Sequence, residues 1–456
     1  MQKPYIFSQI LDVSPIGYQI RKIIDSYLSV VDPYKAVNNI MRYEGNVLFV
    51  VEQQFLLPKN GNIYLIGVGK ASQKMALAVK HVLFEKIHSG LLITKEINDQ
   101  IALNLLPNVY CLKGNHPVPG YESISNTANL IAFLQNITKD DLVLCVISGG
   151  GSALLSAPKD GISLKDMQKM TDLLLKCGAE IKEINIIRKK IDGAKGGGIA
   201  RMIYPARLIS LILSDVVGDP LDKISSGPTV HDETTYMDAW QVLEKYRLLK
   251  FIPNSIRLFL EKGISGQVEE RLSKSQVLFS KTHNFLVANN TLGCEAAKIT
   301  AEDLGFTAYI LSSRMRGEAK YIGSVCAGLI KQIARKNVAI KKPICLILGG
   351  ETTVKVIGRG KGGRNQELAL STAIAFDGIP NVCCVAFASD GEDGPTDAAG
   401  AIVDGNTINK GKAMGLSAPD FLLENNSYKF LDAVGSLIRT GSTGTNVNDV
   451  VLLFAF

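Results

Sequence analysis

Short β-branched and aliphatic runs alternate with longer amphipathic stretches along most of this 456-residue chain. The opening stretch, 6–41, reads as helix: Ile20, Ile23, Ile24 and Leu28 recur at helical spacing, and Asp32-Pro33 marks a break. From residue 63 a repeat of strand, polar loop and helix sets in. The run 63–68 leads into 70–84, 142–147 into a glycine run and Ala153, and 208–213 ends at Ser214-Asp215. Further on, 285–288 precedes 291–304, 309–311 precedes 318–335, 345–348 precedes a glycine-rich loop and 365–376, and 383–388 ends at Ser389-Asp390. This alternation predicts an α/β fold with a largely parallel sheet. Apolar periodicity fades over 269–281, which predicts two domains, a larger one over 1–278 and a smaller one over 279–456.

Composition narrows the class. Hydrophobic residues make up 46% and charged residues 20%, too apolar for a disordered chain. The longest apolar runs, 142–147 and 344–348, fall far short of the ~20 residues of a membrane span, so no membrane partner is expected. The net charge of +7 (50 Lys+Arg against 43 Asp+Glu) is dispersed, without a basic arm for nucleic acid. Eight cysteines without C-x-x-C spacing read as reduced, buried small hydrophobes, and five histidines without ligand spacing argue against zinc. The N-terminus, MQKPYIFSQILDVSP, lacks a basic segment followed by an apolar core, so a cytoplasmic location is expected.

Polar glycine loops recur at predicted strand ends, where α/β sheets bind ligands and where helix N-termini favour anions. Gly67-Val68-Gly69-Lys70-Ala71-Ser72 is neither a P-loop nor a dinucleotide fingerprint: Tyr64, Ala71 and Ser72 occupy the diagnostic positions. A tight turn with a solvated lysine would explain it equally well. Ser148-Gly149-Gly150-Gly151-Ser152 has three consecutive glycines, costly in backbone entropy, and suits close approach of N–H groups to an anion. It is not a hydrolase elbow, since Leu154 stands where the last glycine belongs. A third loop, Ala194-Lys195-Gly196-Gly197-Gly198, follows Asn185 and Arg188. A fourth, 358–367, interleaves glycines with Arg359, Lys361 and Arg364, a pattern that polyphosphate binding explains.

Carboxylates stand beside these loops: Asp215 and Asp219 after one strand, Glu351 after Gly349-Gly350, and Asp390 and Asp393 in Ser389-Asp390-Gly391-Glu392-Asp393-Gly394. Hard oxygen ligands of this kind suit Mg²⁺, although turn chemistry alone accounts for any one Asp-Gly pair. His116, in Gly114-Asn115-His116-Pro117-Val118-Pro119, is the histidine with the most defined loop setting.

Taken in order, these blocks, with Ser226-Gly227-Pro228-Thr229 and Thr443-Gly444-Thr445-Asn446-Val447-Asn448-Asp449, resemble the motifs of the glycerate 2-kinase family nearly end to end. Small departures are Ser442 in place of a usual proline, Gly198 in place of a larger residue, and Asp192-Gly193 where a serine is common. The resemblance implies a large Rossmann-like N-terminal domain, a smaller C-terminal α/β domain called MOFRL, and an active site in the cleft between them. It further implies ATP- and Mg²⁺-dependent phosphorylation of D-glycerate at its 2-hydroxyl. Lys70 and Arg364 then correspond to proposed active-site residues, neutralising the phosphoryl group or anchoring the substrate carboxylate. Ser148, Gly149, Gly150, Gly151, Ser152, Lys195, Gly196 and Gly197 are expected to bind nucleotide, with Glu351 and Asn365. Asp215, Glu351, Asp390 and Asp393 are candidates for Mg²⁺ coordination or for the base, with Asp215 grouped as catalytic and Asp390 and Asp393 as metal ligands. Two rivals are a hydroxypyruvate reductase, for which a nicotinamide fingerprint is missing, and a non-catalytic nucleotide or sugar-acid sensor. The expected partners are D-glycerate and ATP; a homodimer is compatible with this reading.

Overall fold

The uniformly apolar runs 63–68 and 142–147 become the centre of a sheet, because strands covered on both faces need no polar alternation. The computed structural model describes residues 6–13, 16–269, 277–335 and 341–456. An antiparallel meander comes first: β1 (Met41–Glu44), β2 (Val47–Val50) and β3 (Gln53–Leu56). A six-stranded sheet follows, of β4 (Ile63–Val68), β5 (Ile87–Thr94), β6 (Val109–Lys113), β7 (Leu142–Ile147), β8 (Arg207–Leu213) and β9 (Thr282–Ala288). Its spatial order is β6-β5-β4-β7-β8-β9, and the pairs from β6 to β8 are all parallel. Every residue of β4 and β7 is buried. The chain builds outward from β4 to β6, then returns to lay β7 on the other side of β4, with Val68 opposite Ile147. The carboxyl ends of β4 and β7 are therefore a topological switch point, where open α/β sheets leave room for a ligand.

A second core in the same unit is purely helical. Met167, Met170, Ile184, Ile187, Tyr236, Leu243 and Ile256 pack together from helices that include Leu164–Lys176, Ile181–Ile191 and Tyr236–Lys245.

The C-terminal sheet contains β10 (Thr307–Glu318), β11 (Ile344–Thr353), β12 (Val382–Ala388), β13 (Gly400–Asp404), β14 (Leu437–Ile438) and β15 (Asp449–Ala455), in the order β10-β11-β15-β12-β13-β14. Only β10 and β11 run parallel; the other pairs are antiparallel. This sheet departs from the largely parallel pattern because β15 enters its centre after a loop, without a crossover helix. β10 also extends well beyond 309–311. It is an edge strand with register shifts around Ser312, a position that tolerates its polar residues.

The chain divides into two compact units: Pro33–Val287, and the described residues up to Asp32 together with Ala288–Phe456. The expected change of domain, 269–281, includes 270–276, which lie outside the described residues; the chain leaves the first unit at Val287. The early helix Gly17–Val30 belongs to the second unit. Ile20, Ile23 and Ile24 are fully buried, each worth about 1.5–3 kcal/mol. The Tyr27 ring sits so close to Gly293, on the helix Asn290–Asp303, that a Cβ there would lie 2.5 Å from it. Thr445 Oγ1 donates to the Val31 carbonyl at 2.7 Å. Pro33 then starts the next helix, where its missing N–H is harmless.

All eight cysteines are free, and Cys383 and Cys384 are both buried because β12 is covered on both faces. Among the described residues no helix is long and apolar enough to cross a membrane.

Candidate active site

Four glycine loops look alike in sequence, and their backbone hydrogen bonds separate them. After β4, Gly69 N–H donates to the Ile93 carbonyl (3.1 Å), Lys70 N–H to the Gly149 carbonyl (3.0 Å), and Ala71 N–H to Ser148 Oγ (2.9 Å). That loop is thus tied to its neighbours, while the Lys70 side chain stays exposed.

After β7 the situation reverses. Ser148 N–H donates to the Val68 carbonyl at 3.0 Å. Among the described residues, however, nothing accepts from the N–H groups of Gly149, Gly150, Gly151 or Ser152 at the start of the short helix Gly151–Leu154. Glycine is required here for space and for conformation. A Cβ on Gly149 would lie 2.0 Å from Asp215 Oδ2, and one on Gly151 would lie 2.2 Å from Ser225 Oγ. Gly150 has φ +85°, and a Cβ on it would meet His116 Cδ2 at 3.1 Å and Lys70 Cγ at 3.3 Å. Lys70, His116, Asp215 and the open amides therefore surround one short piece of backbone.

The charges of this group follow from burial. Burial raises Asp215 above the ordinary carboxylate range, opposed by its own backbone N–H and the Lys70 charge. Burial, then the Lys70 and Lys95 charges, lower His116 to about 4, so its ring is neutral at pH 7. The far wall is the segment 225–227, with three consecutive left-handed residues, Ser225 (φ 51°), Ser226 (φ 60°) and Gly227 (φ 60°). Such a run in serines is strained and needs external support. Ser225 Oγ donates to the Ser148 carbonyl (2.8 Å), Ser226 Oγ lies 2.6 Å from Ser152 Oγ, and Ser226 Oγ donates to Asn185 Oδ1 (3.2 Å).

The third loop supports this wall instead of facing a ligand. Gly196 N–H donates to the Ser226 carbonyl (2.9 Å) and Gly197 N–H to the Gly227 carbonyl (2.8 Å). Lys195 is 1% exposed; its ammonium is ion-paired with Asp192 and donates to the Leu155 carbonyl at 2.8 Å. Asp192, which replaces a common serine, also accepts from Ala194 N–H and Ser156 Oγ.

The fourth loop lies in the other unit and is knitted to the segment 424–426. Ile357 and Gly358 N–H donate to Asn425 Oδ1, Gly360 N–H to the Glu424 carbonyl, and Lys361 N–H to Asn426 Oδ1. The Lys361 ammonium sits 4.4 Å over the Tyr428 ring. At the start of the helix Arg364–Ala375, Asp393 fills the position that an anion would take. Its Oδ1 accepts from Asn365 N–H (3.0 Å) and its Oδ2 from Gln366 N–H (2.9 Å). Burial raises Asp393 to about 6 against those bonds. Both oxygens are thus engaged, and among the described residues no three His, Cys, Asp or Glu side chains gather to hold a metal. Asn365 Oδ1 is buried without a partner. Asp390, partly buried, accepts from Glu392 N–H at 3.1 Å.

Arg364 is gripped from both sides. Nε and Nη2 donate to the two oxygens of Asp449, at 2.5 and 2.9 Å, and Nη1 lies 3.0 Å from Glu351. Burial works against its charge, and the bonds and charge of Asp449, then the Glu351 charge, outweigh it. Asp449 stands last in the final sequence block, yet no role was legible for it: its partner is 85 residues away. A separate cavity of ≈ 490 Å³, lined by residues including Lys139, Leu142, Arg207 and His283, opens at the amino ends of β7 and β8 and holds none of the predicted residues.

Open amides, a lysine and a raised carboxyl at a switch point are the equipment of an α/β enzyme that handles an anionic small molecule. Comparison with known proteins makes the class specific. Residues 19–261 match the family described as a domain of unknown function, DUF4147, and residues 344–449 match the MOFRL family. The chain is 41% identical over 443 residues to the glycerate 2-kinase of Pyrococcus horikoshii, covering 97% of each chain. It is 41% identical over 390 residues to the D-glycerate 2-kinase of Thermotoga maritima, covering 86% of this chain and 90% of that one. The crystal structure of a Thermotoga maritima glycerate kinase superposes with a TM-score of 0.84 at 37% identity, covering 96% of this chain and 99% of that one. The chain belongs to the glycerate 2-kinase family.

Proposed function

We propose that this protein transfers a phosphoryl group from ATP to the 2-hydroxyl of D-glycerate, giving 2-phosphoglycerate and ADP. The observation that carries the reading is the unpartnered N–H run of 149–152, bordered by Lys70 and Asp215 at the switch point. Phosphoryl transfer asks mainly for positioning and charge neutralisation. The open amides receive oxygens of the transferring group, and the exposed Lys70 ammonium neutralises charge beside them. Asp215, raised by burial, accepts the proton of the attacking hydroxyl. His116, neutral, leaves the cationic work to Lys70. Arg364, with three of its five N–H directions occupied, presents the remainder to a carboxylate or phosphate oxygen.

Mg²⁺ characteristically binds one or two protein carboxylates plus substrate phosphates. Asp393 does not fit that role, because both its oxygens cap a helix; Asp390 remains the carboxylate to hold the ion. The ion would supply further charge neutralisation on the nucleotide phosphates. Lys195, Gly196 and Gly197 act here as the scaffold of the 225–227 wall.

The test is coupled ADP release with D-glycerate and with L-glycerate, followed by identification of the product. ADP release with the D acid and phosphate at the 2-position is expected. Product solely at the 3-position, or NAD(P)H oxidation with hydroxypyruvate in the absence of ATP, would overturn the proposal. We further propose a cytoplasmic location, in keeping with the reduced cysteines.

A further inference from the structure

A further cation stands on the helix that braces the 225–227 wall. Arg188 lies on the helix Ile181–Ile191, partly buried, and among the described residues no hydrogen bond or ion pair engages its guanidinium. A guanidinium withdrawn even in part from water is normally paired. Its neighbours on the helix are all occupied: Lys189 with Asp222 and Asp232, Lys190 with Asp232.

The helix is pinned on both sides of Arg188. One turn earlier, Asn185 accepts from Ser226 Oγ, which touches Ser152 Oγ at the end of the open amide run. One turn later, Asp192 accepts from Ser156 Oγ and Ala157 N–H, just beyond the helix Gly151–Leu154. Residues three and four apart share a helix face, so Arg188 stands on the face that supports the amide run, between its two fixed points. Burial pushes Arg188 below the usual arginine range and the Asp192 charge opposes it. The Asp192 carboxylate is itself taken up by Lys195 and backbone N–H groups.

We infer that Arg188 receives the carboxylate of the acceptor, and so selects small hydroxy acids over uncharged polyols of the same size. The inference rests on the kinase reading for its substrate, but its physical content is carboxylate binding. A planar guanidinium matches a carboxylate with two parallel hydrogen bonds, which an ammonium cannot reproduce. Binding the carboxylate at Arg188 leaves Lys70, in the same unit, for phosphate oxygens. This assigns separate cations to the two anionic parts of the ternary complex.

The experiment compares the full chain with Arg188→Lys and Arg188→Gln, using calorimetric titration with D-glycerate and with glycerol, then steady-state kinetics. Thermal unfolding shows whether each variant is folded, and Arg188→Lys keeps the charge if Arg188→Gln fails to fold. Affinity and KM for D-glycerate should weaken by on the order of 10- to 100-fold, the usual worth of hydrogen bonds to a charged group, with KM for ATP unchanged. The preference for glycerate over glycerol should shrink by the same factor. Equal glycerate affinity in a folded variant, or an equal rise in both KM values, overturns the assignment. Arg188-dependent glycerate binding without any ADP release would refute the kinase reading and leave this one standing. A wild-type protein that binds no glycerate would refute both.

Discussion

The helices Gly151–Leu154 and Arg364–Ala375 both begin in glycine-rich loops after a buried strand, yet they are filled in opposite ways. At the second, Asp393 caps the amides of Asn365 and Gln366, so the helix start is satisfied from within. At the first, no group among the described residues accepts from the amides of 149–152, although the residues around them are densely bonded. Open donors held by a rigid surround are what a binding site needs, because a ligand can bond them without the chain reorganising. A capped helix start is a structural device, and it frees the neighbouring Arg364 to be oriented by Asp449 and Glu351. Similar glycine patterns therefore serve two different purposes, and the difference lies in whether a carboxylate from elsewhere arrives.

The sharpest test of this contrast uses the two loop lysines. Lys195→Gln leaves Asp192 buried without its cation and should cost about 3–5 kcal/mol of stability, read by chemical denaturation. Lys70→Gln, at an exposed side chain, should leave stability nearly unchanged and lower kcat by about 10²- to 10³-fold. The reverse pattern would exchange the roles of the two loops. Next in size, Arg364→Lys keeps the charge but loses the fork that holds both oxygens of Asp449. Its kcat should fall on the order of 10², and near-normal turnover would make this arginine a structural ion pair only.

A smaller effect is expected from Gly149→Ala, whose methyl would collide with Asp215 Oδ2. Overpacking of about 1–3 kcal/mol should appear in thermal unfolding, with a larger loss in activity than stability alone explains. The smallest effects are in pH dependence, and they have opposite signs in the two regions. His116 titrates at about 4 folded against about 6.5 unfolded. In that window the unfolded chain binds more protons, so the contribution of His116 is complete above 6.5 and lost as pH falls toward 4. Asp393 titrates at about 6 folded against about 4 unfolded, so its contribution is present below 4 and lost as pH rises toward 6. Denaturation from pH 4 to 7 should show His116→Gln less sensitive to acid than wild type, and Asp393→Asn more sensitive. Superimposable profiles would remove the distinction.

Much of the fold was legible along the chain. The helical spacing of Ile20, Ile23, Ile24 and Leu28, and the apolar runs of β4 and β7, predict buried elements that the structure contains. The packing of Gly17–Val30 with residues beyond 288 was not legible, since nothing local marks Tyr27 as the partner of Gly293. The direction of β15 was equally hidden, because strand residues look the same in either direction. Residue types and order singled out Lys70, Asp215 and the glycine run, which the structure brings together, whereas the pairing of Arg364 with Asp449 spans 85 positions and left no local trace.

By itself the sequence determined what is local or repeated: the alternation of strand and helix, the glycines that permit Gly150 its φ of +85°, and the ordered motif blocks that name the family. Only the tertiary structure decided which glycine loop is open. That depends on whether a distant group takes up the amides, as Asp393 does for 365–366 and the 226–227 carbonyls do for 196–197. A backbone N–H is the same donor in every residue but proline, so its availability is set by the acceptor that folding brings to it.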